Sequence, residues 1–508
     1  MRDIHHTPGA PSRRTVLGAS LAAAGTGLLT ACGADSPPRS NAKPGGYVAP
    51  DGPEVAEAER ERGSGPVRTV QLTAARTPLD LGGGTTVTSW SYGGELPGEE
   101  VRVTAGDTLA LTLANHLPEA TSAHWHGIAL RNNMDGVPGV TQKAVAPGAD
   151  FTYRFTVPDP GTYWVHPHVG TQRDRGLYAP LIVDDPKEPL SYDKEWVVVL
   201  DDWLDGVDGS TPDKVLGRLR GGTRHRRGGM ASRMPMGAES KLLGGDAGDV
   251  AYPYYLVNGR TAKDPSGFTA RPGDRIRLRI VNAGGDTAFR VALGGHRMTV
   301  THADGFPVRH TTTDSLVLGM GERYDVLVTA GDGVFPLTAL AEGKRASALA
   351  VLRTGSGAVP AADVRPEELD GRLVTADRLR AADSVALPSR TPDRTIRLRL
   401  TGGMATYDWA FDGKPYSPDQ RHPVREGERV RTEFVNTTSM WHPIHLHGHT
   451  FALGATPGGP RKDTAIVLPG QTVTVDFDAD NPGLWMVHCH NVYHAEAGMM
   501  TVLGYRAP

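Results

Sequence analysis

One short pattern recurs three times along the chain, and it limits the fold more than any other feature. Val101-Arg102-Val103-Thr104-Ala105-Gly106-Asp107 leads through a strand pattern to Leu113-Ala114-Asn115. Phe268-Thr269-Ala270-Arg271-Pro272-Gly273-Asp274 leads to Ile280-Val281-Asn282, and His422-Pro423-Val424-Arg425-Glu426-Gly427-Glu428 leads to Phe434-Val435-Asn436. A second turn follows each copy: Ala146-Pro147-Gly148 before Phe151 to Val157, Gly319-Met320-Gly321-Glu322 before Tyr324 to Val328, and Leu468-Pro469-Gly470 before Val473 to Phe477. A turn followed by alternating apolar and polar residues predicts a half-buried strand. Repetition at this period predicts one folding unit used three times.

Three β-sandwich domains in series is the simplest account. They are placed at 67–185, 190–355 and 375–508, with the Pro/Ala/Gly-rich stretch from Gly355 to Arg365 as a linker. A chain of 508 residues exceeds what one core holds. Its 63 Gly and 39 Pro suit short strands joined by turns. The fold class is all-β, with weak helix signals apart from short pieces near Arg378 to Ala382.

The first residues stand apart from this pattern. Ser12-Arg13-Arg14-Thr15-Val16-Leu17 runs into an apolar stretch from Leu17 to Ala31, which fits a twin-arginine export signal. Leu29-Thr30-Ala31-Cys32 resembles a lipoprotein cleavage box. A stop-transfer helix is the alternative, but the apolar run is shorter than the ~20 residues that span a bilayer. Residues 1–31 are therefore expected to be a signal peptide, with Cys32 lipidated and the protein anchored on the outer face of the cell membrane. Residues 32–66 read as a polar, flexible tether. The segment 206–249 is an insertion rich in Gly, Arg and Met, and loops that long are functional or disordered. The formal net charge of -3 gives no nucleic-acid footprint.

Near the C-terminus, Met486-Val487-His488-Cys489-His490-Asn491-Val492-Tyr493-His494-Ala495-Glu496-Ala497-Gly498-Met499 gathers imidazole, thiol and thioether. These are the side chains that transition metals select. On an extended strand successive side chains face opposite ways, so Cys489 would serve one centre while His488 and His490 serve another. Cys489 is the only cysteine besides Cys32. A buried structural thiol is the plain alternative, but its histidine neighbours point to a ligand.

Three further clusters share this character: His124-Trp125-His126, His166-Pro167-His168 and His442-Pro443-Ile444-His445-Leu446-His447. The four His-X-His pairs each place two imidazoles on one strand face, about 6.8 Å apart. All fall in the outer repeats. The middle repeat has only isolated His296, His302 and His310, which read as structural.

This constellation resembles the multicopper oxidases, the family of laccases, cuprous oxidases and ferroxidases, over essentially residues 67–508. The resemblance implies cupredoxin-like Greek-key domains and four copper ions. A type 1 copper would be held by His442, Cys489, His494 and Met499, and a type 2 copper by His124 and His445. The two type 3 coppers would take His126, His166, His168, His447, His488 and His490. It further implies that the cluster lies between the first and third domains, with the middle one a spacer that helps shape the substrate side. O2 and a reducing substrate are the expected partners, and the protein is expected to be a monomer.

Asp135, in Met134-Asp135-Gly136-Val137-Pro138, stands where the family carries an acid near the type 2 copper, and is a proton-donor candidate. An Asp-Gly turn residue is the alternative. Glu496 is offset from the family's acidic positions and reads as solvated surface. For the substrate, an axial Met is expected to lower the type 1 potential, which suits easily oxidised donors such as Cu(I). Met230, Met234 and Met236 in the insertion, and Met440 before Trp441, offer soft ligands for Cu(I). Packing is their alternative role. Cuprous oxidase activity in copper tolerance and laccase-like oxidation of phenols or other metal ions both fit, whereas the complete ligand set argues against a non-enzymatic scaffold or copper store.

Overall fold

The computed structural model describes residues 46–221, 238–454 and 457–508. Strands dominate, and they form three successive pairs of facing sheets. The first pair is two four-stranded sheets within Val67–Asp184, the second a seven- and a six-stranded sheet from Lys194 to Val374, and the third a six- and a five-stranded sheet from Arg394 to Tyr505.

The repeated residues do the same work in each pair. The first-turn glycine donates its N–H across the sheet in every copy, Gly106 to Val157 O, Gly273 to Ala330 O and Gly427 to Ala479 O, each at 2.8 Å. The terminal asparagine then meets the second turn: Gly148, Gly321 and Gly470 donate to the carbonyls of Asn115, Asn282 and Asn436 at 2.7, 2.9 and 3.1 Å. Each buried Asn amide also pins the loop that follows it. Asn115 Nδ2 donates to Val145 O, Asn282 Nδ2 to Leu318 O and Asn436 Nδ2 to Val467 O. Each Asn side chain thereby satisfies buried backbone groups on both sides of its loop, its Oδ1 accepting from the N–H of Leu117, Gly284 or Thr438. In the outer copies the pinned loop delivers the histidine strand, His124–His126 or His442–Leu446.

Two expectations need correction. Residues 32–66 are not a tether throughout, because Pro53–Arg62 is an α-helix with Pro at its start, Glu54 in its first turn and Arg60 and Arg62 in its last. Val55 is buried, Thr156 N donates to Glu59, and Arg62 donates to Asn481. One apolar anchor in a polar helix leaves little periodicity to read. Similarly, the second pair of sheets runs past 355, since Leu373–Val374 pairs in parallel with Ser315–Leu318. The insertion also holds a helix, Pro212–Gly221, and Val492–Ala497 is helical too, while only a 3-10 turn, Ala376–Arg378, forms near the predicted helical piece. Among the described residues no helix is long and apolar enough to cross a membrane. Residues 1–45, with Cys32, and Met230, Met234 and Met236 lie outside the described residues.

Candidate metal centre

The four histidine pairs meet in one buried space, where His126 and His490, 364 residues apart in the chain, come into contact. His124–His126 pairs antiparallel with Gly161–His166, setting His124 opposite His166. In the third sandwich His442–Leu446 pairs with Leu484–Cys489, setting His445 opposite His488 and Ile444 opposite Cys489. The alternation predicted for His488-Cys489-His490 holds. His488 Nε2 lies 3.1 Å from His447 Nε2 and 3.3 Å from His168 Nε2, whereas Cys489 Sγ lies 3.7 Å from Nδ1 of both His442 and His494. Cys489, His442, His494 and Met499 are fully buried. Met499 closes the loop by backbone hydrogen bonds with Cys489 and His494.

The remaining imidazoles complete a second group around His126, whose Nδ1 lies 3.2 Å from His490 Nε2 and whose ring stacks on His445 at 3.7 Å. His124 stacks on His447 at 3.8 Å, with His166 at its edge. Outer nitrogens are tied back to the protein: His124 Nδ1 to Asp135 O, His166 Nδ1 to Pro167 O, His488 Nδ1 to Cys489 O and His445 Nδ1 to Asp463 O, at 2.8 to 3.0 Å. This leaves Nε2 of His124, His166 and His445, and Nδ1 of His490, buried without a hydrogen-bond partner. Burial, reinforced by mutual repulsion, pushes His126, His166, His168, His488 and His490 far below the ordinary histidine pKa, and His447 to about 3. Neutral imidazoles with converging, unpartnered lone pairs fit soft or borderline metal cations, which repay the desolvation.

Asp135 is fully buried and accepts from both halves of the site, Oδ1 from His124 Nδ1 at 3.1 Å and Oδ2 from His447 Nδ1 at 2.9 Å. Burial would raise its pKa, but His447 and His124 hold it below the usual carboxylate range. Glu496 is half-buried rather than solvated, burial raises its pKa, and its carbonyl accepts from Arg220. Met440 sits in the apolar core, 1% exposed. Among the described residues, the histidine groups close enough to share a metal ion do not include His296, His302 or His310.

Several residues here carry no local sequence signal. Asp463 Oδ1 accepts from His126 Nε2 at 3.0 Å, and Arg323 grips the same carboxylate. Arg173 donates to the His490 carbonyl at 2.6 Å. Asp249, the last residue of the insertion, accepts from His494 Nε2 at 3.0 Å and from Tyr407 Oη at 2.6 Å, while its other oxygen is buried without a partner. Against the effect of burial, Asp249 and Cys489 raise the His494 pKa to about 10. None of these partners stands beside the histidines in sequence, so neither spacing nor periodicity could mark them.

Profiles described as "Multicopper oxidase" match residues 73–188, 195–357 and 389–507. The chain is 50% identical over 500 residues to multicopper oxidase MmcO of Mycobacterium tuberculosis, covering 97% of this chain and 96% of that one. It is 30% identical over 555 residues to copper resistance protein A of Escherichia coli, covering 84% and 91%. The crystal structure of the laccase from Botrytis aclada superimposes with a TM-score of 0.70 at 25% identity, over 87% of this chain and 88% of that one. The chain therefore belongs to the multicopper oxidase family and is a copper-dependent oxidoreductase that uses O2 as acceptor.

Proposed function

We propose that the chain oxidises Cu(I), one electron at a time, and reduces O2 to water in copper tolerance. In this reading His442, Cys489, His494 and Met499 hold a type 1 copper, His124 and His445 a type 2 copper, and His126, His166, His168, His447, His488 and His490 two type 3 coppers. When bound, the four ions supply the one-electron redox steps that O2 reduction requires.

The polypeptide's part follows from its own contacts. Cys489 is joined by single peptide links to His488 and His490, and its carbonyl also accepts from His488 Nδ1 at 2.8 Å. The electron path between the centres is thus short and rigid. The contacts of Asp135 support an orienting role: both its oxygens accept, so His124 and His447 keep their Nε2 lone pairs inward, and proton donation is the alternative role.

The observation that carries the substrate assignment is Asp249. The outer nitrogen of His494 is covered by an anion with one free oxygen, and Asp246 lies on the same segment. An anionic cover favours a cationic donor over a neutral phenol. On either side of the stretch bearing Met230, Met234 and Met236, Arg220 donates to the Glu496 carbonyl and Ala238 packs in the cluster of Trp441, next in sequence to His442. Those methionines are assigned to gathering Cu(I), and Met440, being buried, to packing. Laccase-like oxidation of phenols is the second reading, favoured by the likeness to a fungal laccase.

Oxygen uptake with Cu(I), Fe(II) and a phenol, compared in wild type and Asp249→Asn, separates the two. Cu(I) turnover should fall in the variant relative to phenol turnover. Equal losses for both donors would favour the laccase-like reading. Twin-arginine export, lipidation of Cys32, anchoring on the outer face of the membrane and a monomeric state belong to the same proposal. Membrane fractionation of a Cys32→Ser variant tests the anchor.

A further inference from the structure

Arg323 belongs to the middle sandwich, which supplies none of the histidine ligands, yet it is fully buried against the histidine cluster. Its Nη1 and Nη2 donate to Asp463 Oδ1 and Oδ2 at 2.8 and 2.6 Å. Its Nε donates to Thr162 O of the first sandwich at 3.0 Å, and its backbone N–H donates to Asp304 Oδ1 at 2.9 Å. Asp304 in turn forms an ion pair with Lys462 Nζ at 2.9 Å and accepts from the N–H groups of Asp463 and Thr464 at 3.2 and 3.3 Å.

We propose that Arg323 is a positioning residue for the copper cluster, fixing through Asp463 which nitrogens His126 and His445 present inward. A planar guanidinium fork holds both oxygens of a carboxylate in one orientation, which a single point charge does not. So held, Asp463 accepts from His126 Nε2 at 3.0 Å, leaving Nδ1 to face His490. His445 Nδ1 lies 3.0 Å from Asp463 O and 3.3 Å from its Oδ1, leaving the unpartnered Nε2 inward. One salt bridge thereby sets a ligand from the first sandwich and another from the third. The middle sandwich is part of the oxygen-reducing apparatus rather than a spacer.

This rests on the reading that His126 and His445 hold copper, and the test separates the two claims. Copper-loaded wild type, Arg323→Met and Arg323→Lys are titrated with a chelator while bound copper, the type 2 electron paramagnetic resonance signal and the blue absorbance are followed. Arg323→Met should release cluster copper at about 10- to 100-fold lower chelator concentration, the usual effect of losing an outer-shell partner. The blue absorbance, which reports Cys489 and an intact fold, should persist, and Arg323→Lys should recover part of the copper affinity. Because Arg323→Met leaves a buried carboxylate unpaired, Arg323→Met with Asp463→Leu provides a charge-free second variant, and it should show the same selective loss. Wild-type copper affinity and an unchanged type 2 signal in either variant would overturn the proposal, as would parallel loss of blue absorbance and cluster copper. A wild-type protein with no type 2 signal would defeat the copper reading itself.

Discussion

Replacing Asp135 with Asn distinguishes an orienting carboxylate from a proton donor. In the wild type its two oxygens receive His124 Nδ1 at 3.1 Å and His447 Nδ1 at 2.9 Å, all three side chains being fully buried. An amide keeps one acceptor and turns an NH2 toward the other imidazole. The least costly arrangement leaves the amide oxygen on His447 and the NH2 facing His124, because His124 Nδ1 retains the backbone carbonyl of residue 135 at 2.9 Å. Even so, two charge-assisted hydrogen bonds are lost or become neutral. Bonds to charged groups contribute about 1.5–3 kcal/mol against 0.5–1.5 for neutral ones, so the net loss is on the order of 1–3 kcal/mol. That corresponds to roughly 5- to 150-fold in affinity for metal at His124 and His447.

Copper counting under chelator challenge measures this directly, alongside the type 2 signal and oxygen uptake. Cluster copper should leave first, while the blue absorbance stays, since Asp135 makes no hydrogen bond to His442, Cys489 or His494. Retention of all copper at wild-type chelator concentrations with slowed turnover would refute the orienting role and restore Asp135 as a proton donor.

Three other outcomes follow from specific contacts. Cys489→Ser should abolish blue absorbance and turnover while cluster copper stays bound, and persistent turnover would contradict the electron path. Gly321→Ala should cost cluster copper, because the new Cβ would lie 2.9 Å from His126 Cε1 and 3.0 Å from His490 Cδ2 at a φ of +88°; a variant with full copper would show that the rings can give way. Burial lowers the His302 pKa to about 3, with Arg277, Arg279 and His310 adding to burial and Asp325 opposing it. The stability that this depressed pKa contributes is complete above the unfolded value near 6.5 and is lost as pH falls toward 3, by about 1.4 kcal/mol per pH unit. The thermal-stability gap between wild type and His302→Gln should therefore narrow from pH 8 to pH 4.5, and a constant gap would exclude the linkage.

The parts of the site legible in the sequence are those a strand writes locally. Alternation separated Cys489 from His488 and His490, and the His-X-His spacing put each pair on one face. Asp249, Arg173, Asp463 and Arg323 were not legible, because each acts across a gap in the chain that no period spans; Arg323 and Asp463 are 140 residues apart. The helix Pro53–Arg62 escaped notice for the opposite reason, carrying proper end residues but a single fully buried side chain.

The middle repeat joins these two kinds of information. Its second turn is the same device as in the outer copies, with a glycine at positive φ in each: +75° at Gly148, +88° at Gly321 and +69° at Gly470. In the outer copies that turn faces solvent, with Gly148 and Gly470 exposed. In the middle copy Met320, Gly321, Glu322 and Arg323 are all buried. Glycine at 321 thus answers two demands, of which the sequence displays only the first: a backbone conformation shared with its siblings, and the lack of room for any Cβ against His126 and His490. The step after it, from Gly321 to Arg323, then carries the chain from a turn geometry shared by the three repeats to the guanidinium that grips Asp463. The copy without histidine ligands has turned inward the edge that its siblings leave to water, and with that edge it supports their ligands.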